Sequence, residues 1–174
     1  MQLKNGKDLL IRKAKKEDAA ELIRYINTVS VESDNLLFGA NEFEMTVEQE
    51  EKFIESLENS KTSALLVGIV DGKIICVGNI STPKRPRIAH RGDLGISVLK
   101  AYWGLGVGAH LMDALIGFAK STGTIEIVLL KVKADNARAI ALYKKMGFKE
   151  IGVLPKDTKI NGQYYDAIIM YLYL

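Results

Sequence analysis

The pattern of apolar and polar positions predicts alternating groups of strands and helices along the chain. Apolar residues at helical spacing favour helices over residues 16–31, 46–59, 104–121 and 136–146. Short β-branched or alternating runs favour strands over residues 9–13, 63–70, 73–80, 87–99, 125–132, 148–154 and 164–172. The order β-α-α-β-β-β-α-β-α-β-β predicts a mixed sheet with helices on its faces, an α/β (α+β) fold in a single domain over residues 1–174.

Glycines add detail to the predicted strands. Asp71-Gly72 separates two apolar runs and is the strongest hairpin signal in the chain. Gly92 and Gly95 interrupt the strand over 87–99, which indicates either a β-bulge or a close approach of another backbone. Residues 33–45 have no period and are predicted to form a loop.

The composition bears on whether the chain has disulfides, a metal site or a membrane span. The only cysteine, Cys76, lies in an apolar run, so we expect a buried core thiol and no disulfide framework. With two histidines and no other clustered ligands, no metal site is expected. No apolar stretch approaches the roughly 18–20 residues of a membrane span, and the N-terminal residues do not have the pattern of a signal peptide. These features predict a cytoplasmic protein without membrane association.

The net charge of +3 is unevenly distributed. Between Glu32 and Glu58 there are nine acids and one base, whereas the remaining residues carry 12 acids and 23 bases. The acidic segment favours cations, and the rest of the chain favours anions. The alternative for most of these glutamates is the solvated face of the helix over 46–59.

Residues 98–111 have the pattern of a ligand-binding segment. A strand ends there, glycines recur at alternate positions and a helix begins. Glycine allows the backbone to approach a ligand closely, and free N–H groups at a helix start bind phosphate. A tight turn with glycines for packing alone is the alternative. Gly108 is followed by Ala109-His110 rather than Lys-Ser/Thr, which excludes a nucleoside-triphosphate loop, but Gly104–Ala109 formally matches the dinucleotide fingerprint G-x-G-x-x-G/A.

Residues 98–111 together with the segment from Asn136 through Tyr143 to Phe148 resemble the GNAT superfamily of acetyl-CoA-dependent N-acetyltransferases. The family's phosphate loop, Q/R-x-x-G-x-G/A, corresponds to residues 103–108, with Trp103 where Gln or Arg is usual. The run Gly162-Gln-Tyr-Tyr-Asp166, with Met170, is similar to the branch that includes phosphinothricin-type and ribosomal-protein acetyltransferases. The resemblance implies a mostly antiparallel sheet with helices on both faces and acetyl-CoA as co-substrate. The cofactor-binding residues that it implies are Ile96, Val98, Trp103, Gly104, Leu105, Gly106, Val107, Gly108, Ala109 and Asn136.

The resemblance also implies catalytic roles. The pantetheine arm would run between strands at 95–99 and 130–133, with Asn136 bonding the arm and Tyr143 protonating the departing thiolate. A half-buried tyrosine and a simple helix cap are the structural alternatives for these two residues. Asp93 is the candidate general base, and His90, Glu32 and Asp34 are the other candidates. Backbone N–H groups near Ser97 and Val98, at the expected bulge, would stabilise the oxyanion.

The acceptor is expected to be a primary amine. In the family the loop between the first two helices builds the acceptor site, and residues 31–45 carry four acids beside Leu36, Leu37 and Phe38. This favours a cationic small molecule or peptide amine; those acids are Glu32, Asp34, Glu42 and Glu44. A basic rim is assigned to CoA phosphates rather than nucleic acid, and its residues are Lys84, Arg85, Arg87, Arg91 and Lys100. A homodimer is left open. Two rival functions remain: a dinucleotide-binding oxidoreductase and a non-catalytic CoA sensor.

Overall fold

Residues 1–40 and 42–174, which the computed structural model describes, form seven strands and four α-helices in the predicted order. The strands are β1 (Leu10–Lys13), β2 (Ala64–Val70), β3 (Lys73–Ser81), β4 (Arg91–Val98), β5 (Ile127–Lys133), β6 (Lys149–Ile160) and β7 (Gln163–Tyr173). The helices are α1 (Ala19–Glu32), α2 (Val47–Glu58), α3 (Val107–Ser121) and α4 (Ala137–Lys145).

The strands form one sheet in the order β1-β2-β3-β4-β5-β7-β6. All neighbours are antiparallel except β4 and β5, which run parallel, so the predicted mostly antiparallel, mixed sheet is confirmed. The parallel pair follows from the chain order, because α3 returns the chain to the end of the sheet where β4 began. This single parallel contact lies at the centre of the sheet.

Helices cover both faces of the sheet, as predicted. On one face α3 buries Leu111, Met112 and Leu115 against β3, where a Cβ at Gly78 would lie 2.8 Å from Leu115 Cδ1. On the other face α1 and α2 bury a second core that includes Leu22 and Ile54. We refer to these as the α3 face and the α1–α2 face. Cys76 is fully buried in the α3-face core, as expected for a core thiol.

The expected β-bulge in β4 is not found. The β3–β4 register runs without a shift from Cys76↔Val98 to Ser81↔Asp93. Close packing explains the glycine instead, because a Cβ at Gly92 would lie 2.8 Å from Ile80 Cδ1. The strand also starts later than predicted, at Arg91, after a 3₁₀ turn over Pro86–Ile88.

The strand β6 continues past Pro155 to Ile160, although the sequence predicted its end at residue 154. A proline is tolerated there because β6 is the edge strand and its outer N–H groups need no partner. The register with β7 shifts between Leu154 and Thr158. Inside this bulge Lys156 has a φ of +56°, and its N–H donates to Asp166 Oδ1 at 2.9 Å.

Within residues 1–40 and 42–174, none of the helices combines the length and the apolar character that a membrane span requires.

Candidate active site

The two central strands separate towards their C-terminal ends and open a cavity of about 1080 Å³. Pairing between β4 and β5 stops at Asp93↔Leu129, although β4 continues to Val98 and β5 to Lys133. The cavity extends from residues 102–109 on one side of this gap to the α1–α2 face on the other. One continuous space therefore connects the predicted phosphate loop with the predicted acceptor site.

Backbone polar groups of β4 line the gap. Leu99 donates its N–H to Ile75 O at 3.0 Å, so in the antiparallel ladder the alternate residues Ile96 and Val98 direct their N–H and C=O groups away from β3. With β5 diverging on that side, these groups face the cavity. The N–H of Val98, rather than that of Ser97, is therefore the one available to an oxyanion.

Residues 103–109, the phosphate loop, lead from β4 into α3. Gly104 and Gly106 have φ values of +79° and +94°, where other residues are strained, and this turn delays the start of α3 from the predicted residue 104 to Val107. Among the described residues, the backbone N–H groups of residues 104–108 have no hydrogen-bond acceptor. Free N–H groups at the positive end of a helix are suited to bind phosphate.

The indole ring of Trp103 is held in place by a hydrogen bond and stacks against the Arg138 side chain. The indole Nε1 of Trp103 donates to Val98 O at 2.7 Å. The Arg138 guanidinium lies over the indole, with Cζ 4.6 Å from the ring centroid. Both side chains line the cavity.

Helix α4 brings two predicted residues to the cavity. Helices α3 and α4 pack closely at Gly108, where an added Cβ would lie 3.1 Å from Leu142 Cδ2. Asn136 caps α4 by accepting from Ala139 N at 3.1 Å, and it lines the cavity as well. Tyr143 is buried on the same helix, and burial raises the pKa of its phenol to about 12. No hydrogen bond of the Tyr143 hydroxyl is found within residues 1–40 and 42–174.

On the α1–α2 face, alternate residues of β4 point into the cavity. Asp93, Gly95 and Ser97 share this face because side chains of a strand alternate with a period of two. The Tyr25 hydroxyl donates to Ser97 Oγ at 2.8 Å, and burial raises the Tyr25 pKa. Asp93 lies between Ser81 and Leu129 and remains exposed to the cavity. This face thus offers one carboxylate close to where β4 and β5 separate.

A family profile described as "Acetyltransferase (GNAT) family" matches residues 30–148. The chain belongs to this family. It is similar to the L-amino acid N-acetyltransferase AaaT of Escherichia coli (strain K12), 36% identical over 60% of this chain and 65% of that protein. It is also similar to the N-alpha-acetyltransferase of Sulfurisphaera tokodaii, 30% identical over 97% of this chain and 95% of that protein.

Among solved structures, the acetyltransferase of GNAT family from Streptococcus pneumoniae has a TM-score of 0.94 and 33% identity, covering 96% of this chain and 100% of that chain. The predicted family and fold are confirmed. The protein is an N-acetyltransferase, and acetyl-CoA is its acetyl donor. The dinucleotide interpretation of residues 104–109 and the sensor alternative are therefore wrong.

The described residues of this acetyltransferase fit acetyl-CoA. The phosphate loop supplies free N–H groups, the gap between β4 and β5 supplies backbone donors and acceptors, and Asn136 and Tyr143 lie along the same cavity. Nearly every predicted cofactor-binding residue lines it; the exception is Leu105, whose side chain packs on the α3-face core. No group of three or more His, Cys, Asp or Glu side chains in the described part of the chain is placed to hold a metal.

The alternative bases of the acetyltransferase are not at the cavity. Glu32 Oε2 accepts the backbone N–H of Lys100 at 2.7 Å and so caps the turn before the phosphate loop. Neither His90 nor Asp34 lines the cavity. Of the acids considered in the sequence, Asp93 alone reaches it among the described residues.

The acidic acceptor site expected from the sequence is not found. None of the four acids of residues 31–45 lines the cavity, and Glu42 instead accepts from Gly39 N at 2.9 Å. The residues of this loop that do line it are neutral; they are Ser33, Asn35, Leu36, Leu37 and Phe38. Lys131 and Lys133 line the same side, with ion pairs to Asp157 at 2.7 Å and Asp135 at 2.9 Å.

The predicted basic rim is wrong for most of its members. Arg85, Arg87 and Arg91 lie before or at the start of β4, whereas the phosphate loop follows its end. The arginine that lines the cavity is Arg138, which sequence reasoning missed. Its signal was its position two residues after the motif residue Asn136, on the helix that the motif defines.

Proposed function

We propose that this acetyltransferase transfers the acetyl group directly to a primary α-amine, with Tyr143 as general acid and Asp93 as proton acceptor for the amine. The observation that carries the proposal is the continuity of one cavity, which is lined by both residues and by the phosphate loop. Acetyl-CoA supplies an activated thioester. Asp93 lies on the α1–α2 face and Tyr143 on α4. Asp93 therefore acts on the attacking amine, whereas Tyr143 acts on the departing thiolate of CoA.

The acid role of Tyr143 is compatible with its high pKa. A phenol with a pKa of about 12 stays protonated throughout the physiological range, so its proton is always available. In water the pKa of an ordinary thiol lies only about 1.5 units below that of a phenol, and burial raises the pKa of a thiol as well. Burial raises the pKa of the Cys76 thiol in this same protein to about 12. The same desolvation beside Tyr143 would raise the basicity of the CoA thiolate, which favours its protonation by the phenol.

Asp93 is placed to accept the proton that the ammonium group of the acceptor must lose to solvent. Its carboxylate is exposed to the cavity, so it attracts the ammonium form of the acceptor and passes the proton to water at the open side. A free lone pair on the amine is the requirement for attack. The neighbouring Ser97 hydroxyl is already engaged by Tyr25 and does not replace this function.

Asp93→Asn is expected to lower kcat/KM about tenfold, mainly on the acidic side of the pH profile, where the amine is hardest to deprotonate. The measurement is kcat/KM from pH 6 to 10 with saturating acetyl-CoA. Asp113→Asn, an exposed aspartate of α3, is the matched control and should leave the profile unchanged. Superimposable profiles for Asp93→Asn and the wild type would rule out the proposed role.

For the acceptor, we propose the α-amine of an amino acid or of a protein N-terminus that carries an apolar side chain. The names of the two relatives, an L-amino acid N-acetyltransferase and an N-alpha-acetyltransferase, support an α-amine. The wall that faces Asp93 is apolar on the side of α1 and its following loop; its apolar residues are Ile26, Val29, Leu36, Leu37 and Phe38. Apart from Asp93, no carboxylate of the described residues lines the cavity, so a second positive charge on the acceptor would have no partner there.

A panel of amines tests this preference. Leucinamide is expected to exceed glycinamide in kcat/KM at least about tenfold, because burying a leucine side chain contributes roughly 1.5–3 kcal/mol. Spermidine should be a poor acceptor, and raising the salt concentration should change this ranking little. Comparing leucine with leucinamide distinguishes a free amino acid from an N-terminus. A leading polyamine whose advantage shrinks with salt would restore the cationic preference expected from the acidic loop.

A further inference from the structure

Arg138 is placed as a ligand-binding residue without a protein partner. It lies in the first turn of α4, two residues after the cap Asn136, and its exposed side chain lines the cavity. Within residues 1–40 and 42–174, no carboxylate lies within ion-pair distance of its guanidinium. Its defined contact is with the face of Trp103.

The stacking fixes Arg138 and leaves its donors free. An arginine stacked on an aromatic ring uses the face of the guanidinium, so its N–H groups, which lie in the guanidinium plane, remain available for an anion. The indole is itself immobilised, because Nε1 donates to Val98 O. The ring thus acts as a fixed platform that holds the cation beside residues 104–108.

Trp103 cannot bind phosphate through its own side chain. An indole has one N–H, and here that donor is occupied by Val98 O. The residue type usual at this position of the loop pattern, Gln or Arg, would offer a free side-chain donor. The loop of this chain therefore depends on its backbone N–H groups unless another side chain supplies the missing contact.

We infer that Arg138, held on Trp103, supplies the side-chain contact to a phosphate of acetyl-CoA that the phosphate loop itself lacks. Phosphate and guanidinium form bidentate, charge-assisted hydrogen bonds, and the start of α4 adds a favourable dipole. The side chain that contacts the phosphate thus comes from α4 rather than from the phosphate loop. This inference rests on acetyl-CoA binding and is independent of the roles proposed for Tyr143 and Asp93.

The experiment is calorimetric titration of CoA and of 3′-dephospho-CoA into wild type, Arg138→Gln, Arg138→Lys and Arg24→Gln. Arg24 is an exposed arginine of α1 that does not line the cavity, and it serves as the control. For Arg138→Gln we expect a rise in Kd for CoA of roughly tenfold or more, and a weaker dependence of Kd on salt concentration, because one screened charge pair is lost. Arg138→Lys should recover part of the affinity, since charge is kept but the planar fork is lost.

The two ligands identify the phosphate. A loss for CoA but not for 3′-dephospho-CoA supports contact with the 3′-phosphate, and an equal loss for both supports contact with the pyrophosphate. Trp103→Leu should weaken CoA binding in the wild-type background and add little to Arg138→Gln, because the two residues act as a unit. An unchanged Kd for both ligands in folded Arg138→Gln overturns the inference. A loss confined to kcat, with KM for acetyl-CoA unchanged, overturns it as well.

Discussion

Tyr143→Phe is expected to lower kcat about 100-fold while the Kd for acetyl-CoA changes by less than about twofold. The substitution removes only the hydroxyl, so the ring keeps its packing against Phe148 at a centroid distance of 6.0 Å. Without the phenol proton, the thiolate must leave unprotonated or take its proton from water. Steady-state kinetics at saturating concentrations of both substrates, together with calorimetric titration of acetyl-CoA, measure the two quantities.

The pH dependence provides a second criterion for the same residue. Because burial raises the Tyr143 pKa to about 12, the phenol stays protonated as the pH rises from 6 to 10, and no alkaline decrease in kcat should arise from it. Tyr171→Phe, a half-buried tyrosine of β7 away from the cavity, is the matched control for loss of a hydroxyl. Full activity of Tyr143→Phe would show that water, rather than this phenol, protonates the thiolate.

Gly106→Asp is expected to raise the Kd for acetyl-CoA more than about tenfold, equivalent to more than about 1.4 kcal/mol. Two effects add. The φ of +94° strains any side chain at this position, and the new carboxylate would lie among N–H groups that are available to phosphate, where it repels the ligand. Titration of acetyl-CoA into the folded variant measures the loss.

Two further variants separate strain from charge at the phosphate loop. Gly106→Ala keeps the strain without the charge and should lose less affinity than Gly106→Asp. Gly123→Asp places the same residue at a φ of +61°, with no atom within 4 Å of the new Cβ, at the other end of α3. It should leave the Kd unchanged. Equal affinities for wild type and Gly106→Asp would mean that the loop does not bind the phosphates.

The sequence predicted those features that depend on local patterns. The order of elements follows from the period of apolar positions, and the phosphate loop follows from the glycines 104, 106 and 108 at the start of a helix. Pairing of Asn136 with Tyr143 on one side of α4 follows from helical spacing. Each of these signals is contained within one stretch of chain.

Features that depend on contacts between distant segments were not predicted unless the family resemblance implied them. Arg138 looks like a solvated helix residue until the fold places Trp103 beneath it. Similarly, the acids of residues 31–45 indicate an acidic site only if they face the cavity. Glu32 instead binds a backbone N–H 68 residues away, at Lys100. The direction in which a loop side chain points is set by such tertiary contacts, which a linear pattern does not contain.

The short pairing between β4 and β5 makes bound acetyl-CoA relevant to the stability of the folded protein. Within the described residues, the ladder between β4 and β5 consists of three residue pairs, from Arg91↔Ile127 to Asp93↔Leu129. A ligand that binds only the folded chain adds to its stability by mass action, by about 2.7 kcal/mol at 100 times its Kd. When acetyl-CoA is scarce, the folded population loses that contribution, and unfolding exposes the chain to proteolysis. We therefore expect the melting temperature of this enzyme to rise with the concentration of acetyl-CoA.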